Sequence, residues 1–342
     1  MQIGNVNDVA DLDAWLKERN LNGHWNHADR TPEEFTPFMW KWGDISAGLM
    51  KATELVPMDM TGRRTVQLRN PGLRGRMSNT IHMSIQCVMP GEVAEAHRHT
   101  AGAVRFVIQG VEGAYSIVDG EPFPMETGDL ITTPGWCFHD HVNEGSEPVI
   151  WLDILDSRVV ALGKGLGEAF PAAQQPRDKP VGYSLKTQGH VKASWLKHER
   201  LTPPAMRYPW SDTEAAIGAL RDSEVDPDPY DGYHVTYEHP ITGGATLPTF
   251  ACELQVLPSR METHDHRHIS TTIYQAFRGS GVCVVGGERL EWSQGDILVV
   301  PPWTWHHHEN PSERDGILFS VDDWPTFKAL DLYREEGRVA NP

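Results

Sequence analysis

Two short runs of histidine could do metal chemistry in this chain of 342 residues. The first is Glu95-Ala96-His97-Arg98-His99, which follows an apolar stretch and the turn Pro90-Gly91. Side chains on a strand alternate with a period of two, so His97 and His99 point to one face. A later run, Pro134-Gly135-Trp136-Cys137-Phe138-His139-Asp140-His141, offers a third imidazole in His139. Three neutral imidazoles leave half of an octahedron open on a divalent ion. That suits Fe(II), Mn(II) or another first-row ion that also holds a substrate and dioxygen; zinc with three histidines and a water is the other option. A lone histidine is more often a structural residue paired with a nearby acid. The spacing on a strand, with a third histidine after the Gly128-Asp129 strand, argues for a metal.

What must position these residues is a β-scaffold that occurs twice. Residues 65–68 and 81–88 alternate in polarity around the turn Asn70-Pro71-Gly72; residues 104–108, 113–118, 128–134 and 149–155 follow, each bounded by Gly, Pro or Asp-Gly. Short strands with frequent turns indicate an all-β barrel or jelly roll. The pattern then returns. His97-Arg98-His99 reappears as His266-Arg267-His268 at an offset of 169, Gly128-Asp129 as Gly295-Asp296 at 167, and His139 as His306 at 167. Offsets this constant mark an internal repeat. The expected division is a helical and irregular arm (1–60), a first β-domain (61–160), a linker with helices (161–230), a second β-domain (231–325) and a tail (326–342). In the arm, Val9, Leu12 and Leu16 recur at helical spacing over 7–20, and Trp25, Trp40 and Trp42 with Pro32 and Pro37 suggest aromatic packing against a neighbouring domain or subunit. In the linker, Ser211 with Glu214 three residues on predicts a capped helix.

A net charge of −17 removes the basic footprint that nucleic acid or an anionic membrane would need, so neither is expected as a partner. An acid substrate must then be drawn by local arginines. Cys87, Cys137, Cys252 and Cys283 stand far apart with no CxxC, the pattern of reduced thiols in a cytoplasmic protein. The N-terminal residues show no basic and then apolar leader, and no apolar run approaches a membrane span.

The first repeat, from Pro90-Gly91 and His97-Arg98-His99-Thr100 through Arg105-Phe106-Val107, Gly113-Ala114-Tyr115, Gly128-Asp129, Pro134-Gly135-Trp136 and His139-Asp140-His141 to Trp151-Leu152-Asp153, resembles the N-terminal half of the gentisate and salicylate 1,2-dioxygenases. These are bicupins: two double-stranded β-helix (jelly-roll) barrels in one chain, with non-haem Fe(II). The resemblance extends through the second repeat to about residue 320. It implies Fe(II) on His97, His99 and His139, one per chain, with dioxygen as co-substrate. The ring of an aromatic acid with an ortho hydroxyl would be cleaved between the carboxyl- and hydroxyl-bearing carbons, both oxygen atoms entering the product. No glutamate follows within Thr100-Ala101-Gly102-Ala103-Val104, which matches the three-histidine version of the family. The resemblance also implies a homotetramer.

By the same resemblance Arg105 contacts the substrate; a planar guanidinium suits a carboxylate, and its apolar flanks argue against a surface role. It lies six residues after His99, so it faces the same side of the sheet only without a bulge. Arg63 or Arg64 resembles a second family arginine. His141 is the expected acid/base or substrate hydrogen-bonding group, and Asp153 an acid that needs a site histidine or arginine as partner. Where the family usually carries an aromatic residue, this chain has His82, and His82, Ser84 and Gln86 share a face. That polar wall predicts a salicylate with a nitro, hydroxyl or amino group at ring position 5, with 5-nitrosalicylate ahead of gentisate. The second cluster, His266, His268 and His306 with His264 and His308 beside it, has Tyr274 in place of Arg105 and Ser320 in place of Asp153. It is expected not to cleave rings, and to be empty or hold a structural metal. Outside this reading stand a non-catalytic bicupin that binds or senses an aromatic acid, and a cupin isomerase or hydrolase.

Overall fold

The computed structural model describes residues 8–18, 21, 33–58, 62–189, 194–195 and 204–338. Residues 1–34 and 35–342 are two separate compact units. Among the described residues of the first, Val9–Lys17 is a helix whose Asp8 side chain accepts from the backbone N–H of Asp11 at 2.8 Å. Trp25 and Pro32 lie outside the described residues.

Among the described residues, the second unit is built from four antiparallel sheets, two for each repeat. In the first repeat a six-stranded sheet runs in the order Met206–Tyr208, Leu130–Thr133, Ala103–Gln109, Val149–Leu155, His82–Val88, Thr65–Gln67. A five-stranded sheet runs Gly167–Ala169, Val93–His99, His139–Asn143, Ala114–Val118, Glu121–Pro124. The second repeat copies both: Phe38–Trp40, Ile297–Val300, Thr272–Arg278, Gly316–Asp322, Ala251–Leu257, Tyr233–Thr236, and Glu288–Ser293, Ser280–Val285, His306–Glu309, His266–His268, Glu335–Gly337.

The two six-stranded sheets share one apolar core. Val104, Phe106, Ile150, Leu152 and Ile154 of the first meet Leu254, Ile273, Phe319 and Val321 of the second, and the rings of Phe106 and Phe319 stack with centroids 4.0 Å apart. The opposite faces of these strands, with Val107, Trp151 and Ile131, pack instead on Ala94, Val118 and Phe123 of the five-stranded sheet. Strands buried on both faces read as nearly continuous apolar runs, which is why Val149–Leu155 does not alternate in the sequence.

Each repeat is completed by a strand and helix that come from outside it in the sequence. Phe38–Trp40 of the expected arm pairs with Ile297–Val300 of the second repeat, and Met206–Tyr208 of the expected linker pairs with Leu130–Thr133 of the first. The following helices, Trp42–Leu55 and Trp210–Arg221, are capped across the same junctions. Asp296 Oδ1 accepts from the N–H of Trp42, and Asp129 Oδ1 from the N–H of Trp210, both at 2.8 Å. Ser211 is therefore not the cap that its position predicts: a carboxylate from the barrel takes the N-terminal amides, where a negative charge meets the positive end of the helix dipole. The Gly before each Asp adopts a left-handed backbone and leaves room for the tryptophan; a Cβ on Gly295 would lie 2.4 Å from Trp42 Cγ.

Candidate metal centre and active site

His97 and His99 end the strand Val93–His99, and His139 begins its neighbour, directly opposite His97. The turn between them is tied to the same strand. Trp136, in a left-handed backbone conformation, donates its N–H to His99 O at 2.7 Å. Each imidazole is oriented by a carbonyl two residues away: the Nδ1 atoms of His97, His99 and His139 meet the oxygens of Glu95 (2.8 Å), Ala101 (2.8 Å) and Cys137 (3.0 Å). A carbonyl only accepts, so Nδ1 carries the proton and Nε2 keeps its lone pair. One ligand atom from each ring lies within 4.8 Å of the others. The Nε2 atoms of His97 and His139 are buried without a hydrogen-bond partner. Buried nitrogens without a partner need an explanation, and a metal ion supplies it. Burial, with the nearby Arg63 next in size, pushes the His97 imidazole down to about 3, and burial with Arg105 holds His139 well below its ordinary value. Both rings are neutral at physiological pH, the form that ligates.

Arg105 comes from the other sheet. The chain turns between His99 and Ala103, so Arg105 faces the histidines across the interior rather than along one strand face, and counting residues from His99 does not settle its direction. Its guanidinium is buried, its Nη1 donates to Thr133 Oγ1, and its Nε lies 3.4 Å from Asp153 Oδ1. Arg105 and Asp153 are cross-strand partners, and Ser84 stands opposite Asp153 on the far side. His82, Ser84 and Gln86 thus share the face of Asp153; Ser84 and Gln86 are buried and His82 is half-buried. Burial holds the His82 imidazole below its usual range, against the pull of Asp153.

His141 is buried beside Trp151, with ring centroids 4.8 Å apart, and its Nδ1 has no partner. Gln86 Nε2, Ser116 Oγ and Trp151 Nε1 are also buried and unpartnered, giving a polar patch next to the triad. The two candidate arginines separate. Arg64 spends its fork on Glu92, at 2.9 and 2.8 Å, and its Nε on Val56 O. Arg63 lies in the field of Asp153 and Glu95 and acts on His97, which puts it beside the cluster. Sequence reasoning does not single out Thr133, Ser116 or Trp151. Ser116 meets His141 through the strand register, whereas Thr133 reaches Arg105 through a hydrogen bond and Trp151 meets His141 from the other sheet.

The cupin domain model matches residues 84–155 and 253–322. A 5-aminosalicylate 1,2-dioxygenase of Comamonas sp. is 36% identical over 97% of this chain and 91% of its own length, and a gentisate 1,2-dioxygenase of Haloferax sp. is 37% identical over 95% and 96%. The chain belongs to the gentisate and salicylate 1,2-dioxygenase family. The structure of salicylate 1,2-dioxygenase from Pseudoaminobacter salicylatoxidans with gentisate superposes with a TM-score of 0.87, at 30% identity over 99% of this chain and 96% of that one. This bicupin is an aromatic ring-cleaving dioxygenase. A 5-nitrosalicylic acid 1,2-dioxygenase of Bradyrhizobium sp. is more distant, 27% identical over 52% of this chain and 92% of its own length.

Within this bicupin dioxygenase the second triad has the same geometry. His266 stands opposite His306, and one ligand atom each from His266, His268 and His306 lie within 4.8 Å of one another. The register also fixes what replaces the rest of the first site. Tyr274 and Ser320 are cross-strand partners, as Arg105 and Asp153 are.

Proposed function

We propose that this chain is an Fe(II)-dependent 1,2-dioxygenase that opens the ring of a 5-substituted salicylate between its carboxyl- and hydroxyl-bearing carbons, using dioxygen. His97, His99 and His139 would hold the iron, whose redox chemistry links the aromatic ring to dioxygen. The observation that carries the reading is the convergence of this triad with the buried Arg105–Asp153 pair. In a chain of net charge −17, a buried guanidinium is the fixed cation that a substrate carboxylate requires. Asp153 and Thr133 hold it in place, which leaves Arg105 pre-organised before the acid arrives. Arg63 adds positive charge at the cluster. His141, neutral and with its Nδ1 unpartnered, can exchange a hydrogen bond or a proton with the substrate hydroxyl. Burial, with Arg105 and Arg63 nearby, disfavours its charged form.

His82, Ser84 and Gln86 form the polar wall that would meet the group at ring position 5. Nitro, hydroxyl and amino substituents all exchange hydrogen bonds with such a wall, and unsubstituted salicylate cannot. The test is anaerobic reconstitution with Fe(II) followed by oxygen uptake on 5-nitrosalicylate, 5-aminosalicylate, gentisate and salicylate. Uptake with the 5-substituted acids and a lower kcat/KM on salicylate is the expected result. A strong preference for salicylate overturns the substituent reading, and no uptake on any of the four overturns the activity. Replacing His82 with phenylalanine is expected to narrow the ratio of kcat/KM between 5-substituted and unsubstituted acids by about tenfold.

A further inference from the structure

The cavity above the second triad is walled by the opposite charge from the first. Matching strand positions show the exchange. Arg105 becomes Tyr274 and Asp153 becomes Ser320; Ser84, opposite Asp153, becomes Glu253, opposite Ser320. Leu155, opposite His82 and Ala103, becomes Asp322, opposite Ala251 and Thr272. The cavity, about 430 Å³, is bordered by Asp228, Asp231, Glu253 and Asp322 together with His266 and His268 of the triad. Its border also holds Arg267, already paired with Glu336, and Lys328, which lies 4.1 Å above the Trp324 ring. Arg267 is thus spent on Glu336, and Lys328 keeps its charge but stands against four carboxylates.

The imidazoles themselves are set for a cation. His306 gives its Nδ1 proton to Thr304 O at 3.0 Å, and His268 gives its own to Ser270 O at 3.1 Å, so both Nε2 atoms present lone pairs. The Nε2 of His306 faces the Nε2 of His266 at 2.6 Å. Behind them His308 is fully buried with neither ring nitrogen partnered. Three imidazoles and a group of carboxylates gain from a divalent ion, whereas the carboxylate of an aromatic acid would meet more negative than positive charge there.

We propose that the second cupin binds a divalent metal ion on His266, His268 and His306, in an acidic cavity that excludes aromatic acids. Such an ion joins the iron expected in the first cupin. The inference does not depend on which acid the first cupin cleaves.

Metal stoichiometry tests it directly. The metal-free full chain is titrated with Co(II) and read by absorption and by elemental analysis after gel filtration. Two ions per chain are expected in the wild type and one in His97→Ala/His139→Ala, with circular dichroism confirming the fold. One ion in the wild type, or none in the folded first-site variant, overturns the proposal. Asp231→Asn/Glu253→Gln keeps all three imidazoles, so it reports on the carboxylates without removing a ligand. It is expected to weaken the second ion at least tenfold and leave the first unchanged; a second ion held as tightly as in the wild type refutes the role of the acidic wall. Gentisate is then titrated by calorimetry into the cobalt-loaded first-site variant. No heat of binding is expected, and binding there would overturn the exclusion.

Discussion

Arg105 keeps its charge inside the protein because Asp153 lies across one strand boundary and Thr133 accepts from its Nη1. Thr133 orients the guanidinium through a hydrogen bond, and Asp153 balances its charge from 3.4 Å. Arg105→Met should therefore lower kcat/KM by about 10²–10³-fold, roughly 3–4 kcal/mol of lost transition-state stabilisation, while bound iron stays constant. Arg105→Lys should recover little of it, because an ammonium cannot present the planar fork of a guanidinium to a carboxylate. Steady-state kinetics beside iron analysis separates this outcome from loss of metal. The histidines are legible in the sequence because spacing on a strand decides which side chains share a face, whereas Arg105, on a strand of the other sheet, is reached through the family resemblance and its apolar flanks. Thr133 and Trp151 are not, since Thr133 stands opposite Ala103 and reaches Arg105 diagonally, and Trp151 meets His141 across the two sheets. Choosing between Arg63 and Arg64 likewise depends on Glu92, 28 residues beyond Arg64, being close enough to occupy one of them.

At the scale of elements, the motif Gly-Asp shows how far a local reading extends. Gly128-Asp129 and Gly295-Asp296 are readable as strand starts, yet each is also the socket for a strand and helix from elsewhere in the chain. Asp129 caps a helix 81 residues away, a distance at which no local cap signal can operate. Its second oxygen binds Arg207 Nε at 2.6 Å, and Asp296 binds Lys41 Nζ at 2.8 Å in the matching place. Removing either carboxylate strips the first turn of its acceptor and takes one partner from a cation, leaving Arg207 with Glu126 and Lys41 with the carbonyl of Glu291. Asp129→Ala and Asp296→Ala should each cost about 1–2 kcal/mol, read as a lower urea midpoint. Gly128→Ala should be at least as damaging, because the new Cβ would sit 2.7 Å from the Trp210 ring on a left-handed backbone. Combining Gly128→Ala with Trp210→Ala should give less than the sum of the single losses, since the clash is shared. Additive losses would mean that the backbone strain alone sets the cost.

Across the whole molecule, the repeat predicts two similar barrels but not that they share a core. That core is formed by the second apolar face of strands such as Val149–Leu155, which looks in the sequence like ordinary β-texture. Two carboxylates pin the seam reciprocally. Asp156 accepts from Gly102 N in its own repeat and from Thr249 Oγ1 in the other, each at 2.8 Å; Asp323 accepts from Thr271 N at 2.7 Å and from Thr80 Oγ1 across the seam. Burial, with the neighbouring Asp322 next in size, pushes the Asp323 carboxyl up to about 7, although Thr80 and Thr271 work the other way. An unfolded aspartate titrates near 4, so between about pH 4 and 7 the folded chain holds a proton that the unfolded chain has lost. The stabilisation linked to this group is complete below the unfolded value and disappears as pH rises through 7. Asparagine does not titrate. It can still accept from Thr271 N while its amide donates to Thr80 Oγ1. The stability of the wild type relative to Asp323→Asn should therefore fall by a few kcal/mol between pH 5 and pH 8, on the order of 1.4 kcal/mol per unit of pH at the steepest point. Urea unfolding of both proteins at the two pH values reads that difference. Curves that stay parallel would place the titration elsewhere, while a crossing would identify Asp323 as a seam contact that weakens in alkali.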